Sequence, residues 1–308
     1  MSGCAGVQSV LDPAGRDAER VYNLFWIMLV GGALIWTLVL GTAIAATLGL
    51  FKNASSRTAN VLIVGGGVVF PTIVLAALLV FGLGLLPSWR ADPDRLKIYV
   101  HGEQWWWRVA YEVPDGDTRI ISANEIHMPT GQPVEFVLTS ADVIHSFWIP
   151  SLGGKLDMIP GRTTRLLLEA QKAGIYRGVC AEYCGTSHAH MAFAAVVHEP
   201  DAFAAWLDAR AGPAEKISGA GSELFMSSGC AACHWITGFA ERGSVGPDLT
   251  HVGSRRTIGA GIMENTKGNL ERWITDPEHI KPGAQMPDYR PLPEEDIAAI
   301  ARFLSELE

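Results

Sequence analysis

The chain has 308 residues, enough for two or three domains. Its formal net charge of -8 argues against nucleic acid as a partner. The acidity lies downstream, with a net -4 over residues 90–212 and -5 over 213–308, and such a surface steers basic partners at low ionic strength.

Residues 1–21 form a short N-terminal segment. Within it, Ser2-Gly3-Cys4-Ala5-Gly6 resembles the end of a bacterial lipoprotein signal, which makes Cys4 a lipidation candidate. No apolar run precedes it here, so either the sequence begins after one or Cys4 is an ordinary thiol.

Residues 22–89 contain two uncharged runs, Tyr22 to Phe51 and Thr58 to Trp89. Each exceeds the roughly 20 residues needed to cross a bilayer as a helix. The connection holds Lys52 and Arg57 and no acid. Short basic loops stay cytoplasmic, so the runs predict a transmembrane hairpin with both ends outside. Pro71 and Gly65-Gly66-Gly67 fall inside the second run, where a close neighbouring helix tolerates them.

Residues 90–212 change pattern. Leu96–Val100, Trp105–Tyr111, Thr118–Ser122, Val134–Thr139, Thr164–Glu169 and Ala192–Val197 read as strands separated by turn residues, as in a Greek-key sandwich or barrel. Residues 201–211 read as a short amphipathic helix stopped by Gly212-Pro213, and 214–221 as a linker. An all-β domain with metal ligands on its loops suits a cupredoxin fold.

Those ligands stand in Cys180-Ala-Glu-Tyr-Cys184-Gly-Thr-Ser-His188-Ala-His-Met191, with His145 upstream in Asp-Val-Ile-His-Ser-Phe-Trp. Soft thiolates and a thioether beside imidazoles select copper over hard cations. A single blue copper needs one Cys; a second permits two sulfurs to bridge two metals. A disulfide or a zinc half-site is the rival reading, but zinc sites seldom recruit Met.

Residues 213–308 carry Cys230-Ala-Ala-Cys233-His234, the c-type haem attachment sequence, with His234 as axial ligand. A thioredoxin-like pair is the rival, but no βαβ pattern surrounds it. Met286, in Pro-Gly-Ala-Gln-Met-Pro-Asp, is the candidate for the second axial position, with Met263 as competitor. Met with His raises the haem potential. A closing helix is expected over Pro293–Leu307. The whole is thus read as a membrane protein of several domains: a two-helix transmembrane hairpin, an all-β cupredoxin-like domain and an all-α class I cytochrome c domain. Four of the five Cys belong to the copper and haem motifs, so no pair remains for a structural disulfide.

The copper run resembles the copper A motif of subunit II of haem–copper cytochrome c oxidases, and the order of domains resembles the caa-type subunit fused to a cytochrome c. That resemblance implies that Cys180 and Cys184 bridge two coppers, that His145 and His188 bind one each, and that Met191 and the Glu182 carbonyl are weak ligands. His190 lies beside the set without belonging to it. It further implies that Trp105, after Gln104, relays the incoming electron, that Glu182 binds a magnesium ion shared with subunit I, and that Asp157 and Arg162 face that subunit. The implied partners are subunits I and III and an external donor such as a quinol–cytochrome c reductase complex or a cytochrome. The implied location is the bacterial cell membrane, with both termini and both soluble domains outside. The implied function is electron transfer from haem c through copper A to haem a of subunit I, where oxygen is reduced to water with proton translocation. Many such subunits place a Glu ahead of the second span; this chain has no Asp or Glu between Glu19 and Asp92, so no proton role is assigned to it. A copper-delivery assembly protein, a metal-free quinol-oxidase subunit and nitrous oxide reductase are the alternatives. The first lacks the second His, Met191 and the haem; the intact ligands oppose the second; a large missing catalytic domain opposes the third.

Overall fold

The computed structural model describes residues 5–53, 55–85, 92, 94–112, 119–214 and 218–308. The chain divides into two compact units: Glu19–Ala91, and Met1–Ala18 together with Asp92–Glu308. Cys4 and Trp89 lie outside the described residues.

The smaller unit carries two apolar helices, α1 (Arg16–Thr47) and α2 (Ser56–Gly84). At about 1.5 Å per residue both outreach a hydrocarbon layer of about 30 Å. The Ser55 Oγ caps α2 by accepting from the Thr58 amide. Over Val61–Val69 the helix widens into π turns, and the Phe70 amide donates to the Gly65 carbonyl five residues back. Pro71 follows, and its missing N–H and bulky ring account for a loosened turn on its N-terminal side.

In the larger unit two five-stranded sheets pack into a sandwich. One is ordered β3-β2-β1-β5-β8, from β1 (Lys97–Glu103), β2 (Trp106–Glu112), β3 (Arg119–Ala123), β5 (Pro133–Ser140) and β8 (Thr164–Glu169). The other is ordered β4-β10-β9-β6-β7, from β4 (Glu125–Pro129), β6 (His145–Trp148), β7 (Leu156–Met158), β9 (Gly174–Cys180) and β10 (Ala192–His198). The β1–β5 and β4–β10 pairs are parallel and the rest antiparallel. Between the sheets Trp107, Phe136, Phe147 and Phe193 are fully buried, with Trp107 edge-on to Phe193 at 5.3 Å and Phe147 stacked on Phe193 at 4.9 Å. Four strands, β4, β6, β7 and β9, were not expected from the sequence. β6 and β7 are only four and three residues long, β4 carries a Glu, a His and a Pro, and β9 holds two glycines, so the local signal is weak and pairing across the sheet overrides it.

The N-terminal segment is tied to this sandwich. The amides of Ala14 and Gly15 donate to Ser151 O at 2.8 and 3.1 Å, and Arg16 pairs with Glu169 at 2.6 Å. After the sandwich, α3 (Pro200–Arg210) lays Trp206 flat on His127 at 4.0 Å.

The C-terminal domain holds α4 (Ala220–Ser227), α5 (Lys267–Thr275), α6 (Pro277–Ile280) and α7 (Glu294–Ser305). It also holds a small ribbon, β11 (Thr257–Ile258) against β12 (Met263–Glu264), within a domain otherwise built of helices and turns as expected. In α7, Ile297, Ile300, Ala301 and Leu304 recur at helical spacing and are buried, while Glu294, Glu295 and Asp296 complement the N-terminal end of the dipole. The expected linker is shorter than read: Ala214 is buried in this domain's core and α4 starts at Ala220.

Candidate functional site

The sheets deliver the sulfur and nitrogen donors to one place. His145 opens β6 and Cys180 ends β9, and these strands pair Phe147 with Cys180. Cys184, His188 and Met191 follow on the connection to β10. His145 therefore stands on a strand, not on a loop as its sequence neighbours suggest.

Cys180 Sγ and Cys184 Sγ lie 3.8 Å apart, far beyond the roughly 2.05 Å of a disulfide. His145 Nδ1 is 3.8 Å from Cys180 Sγ, His188 Nδ1 is 3.6 Å from Cys184 Sγ, and Met191 Sδ is 3.8 Å from Cys184 Sγ. The Glu182 carbonyl oxygen is 3.2 Å from Cys180 Sγ. Sulfur and nitrogen donors sharing one tetrahedral ion, bonded at about 2.3 and 2.0 Å, stand roughly 3.5 Å apart. The spacing is thus that of donors converging on metal, and soft donors of this kind fit copper.

Surrounding groups fix these ligands. His145 is fully buried, and its Nε2 bonds Asp142 Oδ1 at 2.8 Å, leaving Nδ1 toward the sulfurs. Such a carboxylate sets the ring's tautomer and orientation. The other carboxylate oxygen, Oδ2, accepts from the Gln104 amide at 2.7 Å. A Cβ on Gly102 would come within 2.8 Å of His145 Cδ2, so only glycine leaves the imidazole its room. Burial opposes protonation of His145, but hydrogen bonding to Cys180 and Asp142 outweighs it and raises the pKa. The two thiols are coupled: their mutual hydrogen bond holds Cys180 well below the usual thiol range despite burial, and pushes Cys184 up. A ready thiolate is the ligand form.

Trp105 reaches this loop from the other sheet. Its Nε1 donates to the Cys184 carbonyl at 3.0 Å, and Gln104 Nε2 donates to the same oxygen at 2.7 Å.

The second site is a cavity of about 200 Å³, far larger than the water-sized voids of a packed core. Cys230, Cys233 and His234 form one wall, with Trp273, Met286 and Tyr289 elsewhere in the lining. Cys230–Ala232 is a tight turn and the His234 amide closes on the Cys230 carbonyl at 3.0 Å, which presents both thiols and the imidazole together. His234 Nδ1 donates to the Pro247 carbonyl at 2.8 Å, which reserves Nε2 for iron, and burial lowers its pKa and keeps it neutral. The thiols, the poised imidazole and the mainly apolar lining fit a covalent haem. Met286 lines this cavity; Met263 lies on β12 and is not among the lining residues. Trp105 also lines the cavity.

The remaining sequence candidates lie apart from the donor cluster. Asp157 on β7 and Arg162 in the following turn are exposed. The Glu182 side chain is exposed too, with Oε1 accepting from the Tyr183 amide at 3.2 Å. Sequence reading passed over Asp142, Gln104 and Lys281. A carboxylate three residues before a ligand His is a usable signal for Asp142; for Lys281, set against Trp105 only by folding, there is none.

A copper-type donor cluster in a β-sandwich, a haem c cavity beside it and two long apolar helices define a membrane-bound electron-transfer protein. The profile described as "Cytochrome C oxidase subunit II, periplasmic domain" matches residues 112–198, and that described as "Cytochrome c" matches residues 218–308. Cytochrome c oxidase subunit 2 of Alkalihalophilus pseudofirmus is 33% identical over 327 aligned residues, covering 100% of this chain and 93% of the relative. The Bacillus sp. PS3 protein of the same name is 34% identical over 71% of this chain and 64% of its own length. The solved periplasmic domain of subunit II of cytochrome oxidase from Bradyrhizobium japonicum is 36% identical, with a TM-score of 0.35 over 39% of this chain and 95% of that one. The chain belongs to the cytochrome c oxidase subunit 2 family, in the form that carries a C-terminal cytochrome c domain, and is a component of a haem–copper oxidase.

Proposed function

We propose that this subunit takes electrons from an external donor at haem c and passes them by way of a binuclear copper A to haem a of subunit I, in an oxidase that reduces oxygen to water with proton translocation. When bound, the two metals of copper A would share one unpaired electron with little change of geometry, and the haem would receive one electron at a time.

The residues of this chain explain why the path would be short. One observation carries the reading: Trp105 hydrogen-bonds the backbone of Cys184 while also lining the haem cavity, so a single indole touches both sites. Cys180, Cys184, His145, His188, Met191 and the Glu182 carbonyl would hold two coppers, and Cys230, Cys233, His234 and Met286 the haem. Placement of His145 and Cys180 on paired strands limits rearrangement of those two donors. The exposed carboxylate of Glu182 is free to reach a magnesium ion shared with subunit I, and exposed Asp157 and Arg162 can face that subunit. The N-terminal segment, bonded to the sandwich through Ala14 and Gly15, supports placing it on the same outer side as the copper domain. The external donor, of the reductase-complex or cytochrome kind, would meet the haem domain, and subunit III would complete the assembly.

Metal analysis with visible, near-infrared and paramagnetic resonance spectra of the purified oxidase tests this. Two coppers in this subunit with a shared-electron signal, plus one haem c, is the expected result. One isolated copper with a four-line signal, or zinc at the site, would overturn it.

A further inference from the structure

Lys281 is a cation in an unusual place. It is 4% exposed, yet it belongs to the haem domain's face against the copper domain. Its Nζ donates to the carbonyl of Trp105 at 2.5 Å and to the carbonyl of Gly259 at 3.0 Å. One acceptor is on the sandwich and the other on the haem domain, so the ammonium bridges the two. Burying an ammonium is expensive unless its donors are satisfied, which makes an incidental placement costly. Burial pushes it down to about 7, against the opposing influence of Cys184.

The neighbours of Lys281 continue the grip. The Pro282 carbonyl accepts from Ser187 Oγ, in the copper loop, at 2.6 Å. Gly283, with φ of +82°, packs so closely that a Cβ there would lie 2.6 Å from the Trp105 ring. Three residues further on, Met286 lines the haem cavity. One short segment therefore grips Trp105 at one end and reaches the cavity at the other. Trp105 in turn is bonded to Cys184, so its indole is held from both sides.

We propose that Lys281 is the positioning residue of this seam, bridging the carbonyls of Trp105 and Gly259 so that the Trp105 indole stays fixed between the copper loop and the haem cavity. The proposal rests on the reading of Trp105 as the relay. A displacement of about 1 Å at a positioned group is enough to cost a large part of a rate. The bridge needs N–H donors, and an apolar side chain of similar length supplies none.

The test uses the assembled oxidase with Lys281→Met, Lys281→Gln and Trp105→Leu. An electron is injected into haem c by a flash-excited ruthenium reagent, and reduction of copper A is followed in the near infrared. Lys281→Met is expected to slow the transfer tenfold or more with wild-type haem and copper spectra. Lys281→Gln, which restores an N–H donor pair without the charge, is expected to return to within threefold of wild type. A wild-type rate in the Met variant, or a Gln variant as slow as Met, overturns the proposal. Trp105→Leu separates the two ideas: an unchanged rate there removes the relay reading itself, whereas a slow Trp105→Leu beside a fast Lys281→Met removes only the clamp. Should the Met variant fail to assemble, hydrogen exchange on the Gln variant and wild type decides. Matched protection of residues 103–106 and 281–285 in both supports the clamp, and protection lost in the Gln variant overturns it.

Discussion

Asp142 illustrates how much of a metal site lies outside its ligands. Its carboxylate holds His145 Nε2 with one oxygen and the Gln104 amide with the other, so it ties a proposed copper ligand to the residue before Trp105. Removing a carboxylate that orients a ligand His costs about 10–100-fold in metal affinity. Asp142→Ala is accordingly expected to lower copper retention by that order, measured by chelator competition, with haem c content unchanged. Asp142→Asn, which can still accept at Nε2–H, is expected to lose less. The donor set itself was legible because Cys, His and Met have few other reasons to stand at such spacing. Asp142 was less visible, since aspartates are common in turns and only the fold shows which one faces a ligand.

At the scale of elements, the strands that carry ligands were the ones hardest to read. The six expected strands are rich in apolar and β-branched residues between turn residues, and all six exist with shifts of at most a few residues at their ends. β6 is only His-Ser-Phe-Trp, and β9 includes Gly174, Arg177 and Gly178, so local pattern said little about either. Their pairing, Phe147 to Cys180, is a contact between distant parts of the chain. The same close fit makes β1 sensitive. Gly102→Ala would press a methyl into the His145 ring, and overpacking of this kind typically costs about 1–3 kcal/mol. The expected outcome is a lower melting temperature with disturbed copper spectra and an undisturbed haem spectrum. The ribbon β11–β12 was invisible for a related reason: two residues per strand are too few to show a period.

At the scale of the whole molecule, composition alone announced two apolar runs long enough to span a membrane and a net acidic charge, while the joining of the two soluble domains needed coordinates. The Ala192 amide donates to the Ala260 carbonyl at 3.0 Å, the Arg256 amide to Glu125 Oε2 at 2.9 Å, and Arg108 to the Ser244 carbonyl at 2.8 Å. The first needs no particular side chain, whereas the other two depend on Glu125 and Arg108 each reaching a backbone group of the haem domain. They have a kinetic corollary. Exposed charges are screened by salt, but a partner carried on the same chain keeps its local concentration. Between low and high ionic strength, transfer from haem c to copper A is expected to stay within twofold, while reduction by an added basic cytochrome falls at least tenfold. Stopped-flow and flash measurements on one preparation check both.

The short stretch from Lys281 to Met286 has a practical meaning for anyone recombining such proteins. It belongs to the haem module by sequence, yet it also bonds the neighbouring module, through the Trp105 carbonyl and Ser187 Oγ. A foreign cytochrome grafted after residue 213 would arrive with its iron intact and no counterpart for Trp105 or Ser187. The graft would be a cable with its plug removed, and the boundary for a working transplant would have to follow the plug rather than the domain.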